Sequence, residues 1–328
     1  DNPNLTPEEN ALAEMVREFA QEVVAPQAYE ADRTHTLNMD VVSHMAELGF
    51  FGLPFPEEHG GQGGDYFALC LAIEGLARVD QSIAITLEAA VGLGTMPIYR
   101  FGTDEQRREY LPDLLSGRAL AGFGLTEPDA GSDAGATRTT ARLEGEEWVI
   151  NGTKQFITNS GTPITRLVTV TAVTGVSDGK KEISAIIVPS GTPGFPVEPA
   201  YDKVGWHASD THPLTFQDVR VPASHLLGER GRGFASFLQV LDEGRIAIAA
   251  LNRAEYLIAY FGIMRAGYVA VPINIKQSQE NTDYVLRDAG IALALTAFTL
   301  PARAAEAPDA MVKRLSTEVL DLIKADPA

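Results

Sequence analysis

Cysteine, histidine and basic residues are scarce in this sequence, and each shortage argues against a class of protein. The 328 residues contain a single cysteine, Cys70, so no internal disulfide can form. Lys and Arg total 26 against 44 Asp and Glu, and the net charge of −18 argues against non-specific nucleic-acid binding, which needs a basic surface. The six histidines show no metal-ligand spacing, so we assign His207 and His212 surface or structural roles and expect no metal site.

Long apolar runs are lacking as well. No stretch of about 18 apolar residues occurs, which predicts that the chain has no membrane span. The sequence opens at Asp1 without a basic and apolar leader. With the single cysteine, these features indicate a reducing compartment, either a bacterial cytoplasm or the mitochondrial matrix.

The first 120 residues have the periodicity of a helical domain. Thr6 and Glu9, with a proline between them, form a capping-box pattern that predicts a helix start. Apolar residues then recur at helical spacing, namely Leu12, Met15, Phe19 and Val23. We therefore predict an N-terminal all-α domain over residues 1–120.

Residues 121–232 have a different pattern, with short runs rich in β-branched residues separated by turn residues. Asn151-Gly152 follows one such run and precedes another, which is typical of a hairpin turn. The spacing predicts an antiparallel barrel or sandwich. Helical patterning returns over residues 233–328, so the predicted fold class is α+β with an α-rich C-terminal tail.

Two common catalytic signatures are missing from the sequence. No Gly-x-Ser-x-Gly elbow occurs, which removes the usual indication of an α/β-hydrolase. Gly179-Lys180 lacks both the upstream glycine and the following hydroxyl residue of a phosphate-binding P-loop.

Residues 123–133 concentrate small residues and hydroxyls at the entry to the β block. Such a loop leaves backbone N–H groups free for an anion or a polar ring edge. An ordinary turn-rich connector explains the composition equally well.

Phe156 and Thr158 are two apart in a predicted strand, which places them on the same side of it. An aromatic face beside a hydroxyl suits a flat heterocycle. A phenylalanine packed in the core is the more common reason for such a pattern.

Several segments together resemble the acyl-CoA dehydrogenase family. The resemblance covers residues 5–250 and implies a flavoenzyme that removes hydrogen from the α and β carbons of a fatty acyl-CoA and passes electrons to electron-transfer flavoprotein. The segments that carry the resemblance are residues 123–133, 156–158, 203–206, 209–211, 219–222, 227–228 and 231–234.

The resemblance implies roles for individual residues. It places the Thr126 hydroxyl at the pyrimidine edge of the flavin, Phe156 beside the ring and Thr158 near N5. The implied FAD-binding set is Phe123, Leu125, Thr126, Gly131, Ser132, Phe156, Ile157 and Thr158. The implied acyl-CoA-binding set is Ser132, Asp242, Gly244 and Arg245.

The likeness ends near Ala250. The family's later segments usually supply the catalytic base and a contact to the FAD of a neighbouring subunit, which implies a homo-oligomer; neither segment is recognisable here. A minority of the family carries the base one residue before the arginine, where this chain has Gly244, so no catalytic base is assigned. These departures imply an enzyme impaired in proton abstraction.

Residues 252–296 instead resemble a fragment of adenylate-forming acyl-CoA ligases, without a ligase nucleotide loop or catalytic residues. The chain is then either a fusion of two fragments or a dehydrogenase with substitute helices. Three functions follow in order of preference: an FAD-dependent acyl-CoA dehydrogenase, a non-catalytic flavin or acyl-CoA binder, and an acyl-CoA ligase.

Overall fold

The computed structural model describes residues 5–177 and 179–242, and the backbones of three short strands further along the chain. Residues up to Phe237 form one unit and those from Leu238 onward form a second. The first unit begins with helices and continues into a sheet. Its helices are α1 (Pro7–Phe19), α2 (Ala25–Thr34), α3 (Met39–Glu47), α4 (Tyr66–Ala77), α5 (Gln81–Glu88), α6 (Met96–Phe101) and α7 (Asp104–Leu115).

The predicted start of the first helix is confirmed. Glu9 N donates to Thr6 Oγ1 over 3.2 Å, and Thr6 N donates to Glu9 Oε2 over 2.7 Å. This reciprocal pair satisfies backbone donors that a helix start leaves unpaired. Val16 and Phe19 are buried on the face that the apolar spacing indicated.

A continuous helical segment, Gln81–Phe101, is long and apolar enough to cross a membrane by composition alone. It joins α5 and α6 through a π-helical turn at Ala89–Thr95. Because 78% of its most apolar window is buried inside the protein, it has the surroundings of a core helix. Glycine at position 94 lets this turn approach the sheet, since a Cβ there would lie 2.4 Å from Ala121 O.

A seven-stranded sheet follows the helices, in the order β6-β3-β2-β4-β5-β7 with β1 paired to β4. The predicted antiparallel sheet is in fact mixed, because β1 and one residue of β2 pair with β4 in parallel. Its buried core contains Trp148, Ile150 and Phe216. The strands are β1 (Leu120–Gly124), β2 (Thr140–Glu144), β3 (Glu147–Thr158), β4 (Thr165–Ser177), β5 (Lys180–Pro189), β6 (Thr211–Pro222) and β7 (Leu226–Leu227).

The predicted turn at Asn151-Gly152 is wrong. Both residues lie inside β3, and the turn between β2 and β3 instead contains Gly145, whose φ is +63°. Asn151 exchanges two hydrogen bonds with Asp218 of β6, at 3.0 and 2.9 Å. Gly152 sits at a register shift where a Cβ would come within 2.5 Å of Thr139 Oγ1. Cross-strand contacts therefore explain this dipeptide better than turn geometry does.

The C-terminal unit differs from the α-rich prediction where it is described. Helix α8 (Gly233–Asp242) opens the tail as predicted. Beyond it, residues that were predicted to be helical form three parallel strands, in the order β10-β8-β9. They are β8 (Arg245–Ala249), β9 (Val269–Ile273) and β10 (Leu293–Thr296).

Candidate functional site

The loop that leaves β1 meets the second half of β3. Gln155 N donates to Thr126 O over 2.8 Å. Phe123, at the end of β1, stacks on Phe237 of α8, with ring centroids 4.0 Å apart and planes 21° apart. The two segments that sequence analysis singled out, residues 123–133 and 156–158, are thus brought together.

Strand β3 bulges next to that contact. Its register against β6 shifts between Lys154 and Ile157, and Phe156 has a φ of +61°. Side-chain alternation is interrupted there, so the argument that put Phe156 and Thr158 on one side of a regular strand does not hold. The bulge turns the Phe156 ring outward, where it is 61% exposed, so the core interpretation of this residue is wrong.

A second aromatic ring lies beside Phe156. The ring centroids of Phe156 and Tyr201 are 5.0 Å apart, with 36° between the planes. The Tyr201 hydroxyl is buried and faces the backbone of Phe156. The pair forms an aromatic surface that ends in a buried hydroxyl.

The same two segments also contain two hydroxyls that the family resemblance assigns to the flavin. Thr126 and Thr158 are half-buried, and no hydrogen bond of either side-chain oxygen is found within the described ranges. Gly131 and Ser132 are exposed, and a Cβ on Gly131 would meet nothing within 4 Å. An exposed ring and available hydroxyls in two segments that meet fit a flat heterocycle with polar edges, such as an isoalloxazine.

Two predicted contacts are more restricted than expected. Leu125 and Ile157 are buried, and Ile157 belongs to the core of the β domain. Ligand contacts by Ile157 would therefore come from its main chain.

Asp242 ends α8 and Arg245 opens β8, so the continuous helix presupposed for the acyl-CoA contacts does not extend to Arg245. Gly244 lies outside the described residues.

Sequence analysis missed a buried ion pair behind this surface. Lys154 Nζ lies 2.7 Å from Glu127 Oε1, and the two side chains are 0% and 4% exposed. Burial lowers the pKa of Lys154 to about 8, although Glu127 opposes the shift. Burial would raise the pKa of Glu127, but hydrogen bonds from Lys154 and the loop backbone outweigh it and leave that pKa below its usual value. A lysine at an inward-facing position of an apolar strand was the available signal.

The loop after Tyr201 connects the site to the helices. Trp206, with a φ of +55°, donates from Nε1 to Gln81 Oε1 over 2.8 Å. His207 Nδ1 lies 2.9 Å from Asp32 Oδ1. Asn159, just after β3, donates from Nδ2 to Thr86 O over 3.0 Å. Helices α2 and α5 thus support the far end of the site.

Two family models cover the helices and the sheet of this chain. The family model "Acyl-CoA dehydrogenase, N-terminal domain" matches residues 6–118, and "Acyl-CoA dehydrogenase, middle domain" matches residues 122–219. The short-chain-specific acyl-CoA dehydrogenase of Megasphaera elsdenii is 40% identical over 262 residues, which are 78% of this chain and 68% of that protein. The chain belongs to the acyl-CoA dehydrogenase family.

Other acyl-CoA dehydrogenases are similar over the same region. The Bacillus subtilis protein named "Probable acyl-CoA dehydrogenase YngJ" is 50% identical over 251 residues, covering 76% of this chain and 66% of that protein. An acyl-CoA dehydrogenase of Bacillus anthracis, solved with FAD, superposes with a TM-score of 0.68 at 36% identity, covering 74% of this chain and 42% of the other. The chain spans about two thirds of the length of the curated relatives it matches.

The tail matches a different family. The model "AMP-binding enzyme" covers residues 225–327, which agrees with the ligase-like segment seen in the sequence. This match and the parallel strands in its described part separate the tail from the dehydrogenase-like residues before it.

Proposed function

We propose that this chain binds FAD and an acyl-CoA thioester and is built for α,β-dehydrogenation. The observation that supports this most strongly is the outward-turned Phe156 ring, next to the point where Gln155 bonds to the backbone of Thr126. Relatives that carry acyl-CoA dehydrogenase names, one of them solved with FAD, support the same reading.

The proposed roles follow from the chemistry of these side chains. Bound FAD would supply the acceptor for the β-hydride of the thioester. Thr126 and Thr158 would donate hydrogen bonds to the polar edges of the ring, and donors at a ring edge stabilise charge that develops there. Phe156 and Tyr201 would pack against the ring and exclude water from it. Phe123, Leu125, Gly131 and Ser132 would form the loop wall, with Ser132 toward the thioester.

Proton abstraction is the weak part of this site. A carboxylate must reach the α proton, and Gly244 occupies the position before Arg245 where one would be expected. We therefore propose that acyl-CoA reduces the bound flavin only slowly. Absence of a general base slows such a step by about 10²- to 10⁴-fold.

The proposed physiological partner is electron-transfer flavoprotein, which accepts electrons from the reduced flavin. The acidic, cysteine-poor sequence suits a reducing compartment, and we infer a bacterial cytoplasm or the mitochondrial matrix. A second candidate function, a non-catalytic flavin and acyl-CoA binder, is favoured by Gly244 and by the strand that begins at Arg245.

Anaerobic absorption spectroscopy tests the proposal. The chain is reconstituted with FAD, and butyryl-CoA or octanoyl-CoA is added. We expect a shift of the flavin bands at once and slow bleaching afterwards. A shift that never leads to bleaching favours the binder, and no shift at all contradicts a thioester site. Rapid bleaching by the unmodified chain contradicts our account of the base and points to Glu243 or Glu255.

A further inference from the structure

The buried ion pair behind the candidate site uses all the hydrogen-bonding capacity of a lysine. Lys154 Nζ donates to Glu127 Oε1 over 2.7 Å, to Thr171 Oγ1 over 3.0 Å and to Leu125 O over 3.3 Å. An ammonium has three donors, so each one is matched. The Lys154 ammonium therefore joins β3, β4 and both neighbours of Thr126.

The carboxylate of Glu127 binds the C-terminal end of the same loop. Glu127 Oε2 accepts from Arg138 N over 2.7 Å, and Glu127 Oε1 accepts from Thr139 N over 3.1 Å. Thr139 O in turn accepts from Val173 N of β4 over 2.7 Å. The pair thus fixes where the loop of residues 125–139 begins and where it ends.

Thr126 lies between these attachments. Its carbonyl accepts from Gln155, the residue after Lys154, while Leu125 and Glu127 on either side are bound by Lys154 itself. No hydrogen bond of the Thr126 hydroxyl is found among the described residues, so this hydroxyl is available to a ligand. Its position is set by the bonds that hold the Thr126 backbone, Leu125 and Glu127.

Burying two charges is expensive for a fold. Their attraction often fails to exceed the loss of hydration, and apolar residues of similar volume are commonly as stabilising. Stability alone therefore gives little reason for Lys154 and Glu127. Their bonds to main-chain atoms of one loop supply a more specific reason.

We propose that Lys154 and Glu127 are positioning residues for the flavin, holding residues 125–139 so that the Thr126 hydroxyl meets the ring. This rests on the proposed FAD binding. The pair makes no contact with the thioester or with reacting atoms in this assignment. It acts by presenting Thr126 in one place before the ligand arrives, which reduces the ordering cost of binding.

Single substitutions would confuse two effects, because each leaves a buried charge without its partner and threatens folding. The informative variant is the double substitution Lys154→Met with Glu127→Gln, which removes both charges together. The matched control is Arg166→Met with Asp113→Asn, which removes a partly exposed ion pair of 2.9 Å joining α7 and β4, together with the exposed pair that Asp113 makes with Arg118. Thr171→Val is a milder variant that removes one acceptor of Lys154 and no charge.

Two readouts are taken on the full chain. The first is FAD affinity, measured by quenching of flavin fluorescence together with the visible circular dichroism of the bound ring. We expect about tenfold or greater weakening in the double variant at a thermal transition near that of the unmodified chain, a few-fold weakening in Thr171→Val, and none in the control. If a stable double variant binds FAD as tightly as the unmodified chain does, the pair is only structural.

The second readout needs no flavin and separates this proposal from FAD binding itself. Amide hydrogen exchange of the apo chain should show residues 125–139 opening in the double variant and Thr171→Val, while β5 and β6 stay protected. If the unmodified chain binds no FAD, the proposed function fails, and unchanged exchange in that loop would overturn the positioning role as well. If the double variant does not fold, the same two measurements on Thr171→Val decide the question.

Discussion

The rings of Phe156 and Tyr201 lie 5.0 Å apart, and the backbone of Phe156 holds its ring there at a φ of +61°. A phenylalanine in the left-handed region is strained by about 1 kcal/mol or more. The surrounding register shift in β3 imposes that conformation and turns the ring away from the core. The strain therefore coincides with the surface assigned to the flavin.

Replacing Phe156 should separate stability from ligand binding. Glycine adopts a positive φ without strain. We therefore expect the free energy of unfolding in urea to be at least about 1 kcal/mol higher for Phe156→Gly than for Phe156→Ala. Both variants should bind FAD more weakly than the unmodified chain, because both lose the ring. A glycine variant less stable than the alanine variant would mean that side-chain packing, not the backbone, sets stability at this position.

Glu88, at the end of α5, gives stability a specific pH dependence. Burial raises the pKa of Glu88 to about 7 from an ordinary value near 4.5. The folded state therefore holds a proton that the unfolded state has released between these values, and stability falls as the pH rises through this window. Above pH 7 the cost is on the order of 1–3 kcal/mol.

Glu88→Gln should remove that loss. Urea unfolding is measured from pH 4 to pH 8. The free energy of unfolding of the variant should rise relative to that of the unmodified chain as the pH rises, with little difference between them near pH 4. Glu14→Gln, on the exposed face of α1, is the control and should track the unmodified chain. Parallel curves for Glu88→Gln and the unmodified chain would refute burial as the origin of the shift.

Thr126 tests the assignment of the ring edge. We expect Thr126→Val to weaken FAD binding by on the order of 1 kcal/mol, because one hydrogen bond is removed while the volume is kept. Thr153→Val, at an exposed position of β3, should leave the affinity unchanged. Equal affinities for all three proteins, measured by fluorescence titration, would remove Thr126 from the site.

The ligase-like tail should show no adenylating activity. The sequence contains no phosphate-binding loop, so ATP has no defined binding site. Fatty-acid-dependent exchange between ATP and pyrophosphate is the assay, with the chain at micromolar concentration. Exchange above background would contradict this expectation and reassign residues 225–327.

Local patterns predicted some of this structure well. The capping box at Thr6 depends on residues three apart, and the sequence contains the whole of it. Residues 123–133 and 156–158 could be singled out from composition and family resemblance. That they lie side by side depends on the contact between Gln155 and Thr126.

Other features depended on partners distant in sequence. Asn151-Gly152 indicated a turn, but Asp218 and Thr139 hold it within a strand. Lys154 could not be assigned a role from the sequence, because Glu127 lies 27 positions earlier and only the fold brings them together. The parallel pairing of β8 with β9 and β10 likewise joins segments far apart in the tail.

The central claim is that the described domains bind FAD, and equilibrium dialysis of the purified chain against FAD tests it most directly. We expect weak but saturable retention, with bound flavin showing perturbed visible bands, since the side chains assigned to the ring are present. Phe156→Gly should reduce this retention. No retention of FAD by the folded chain, even at high micromolar concentration, would contradict the account.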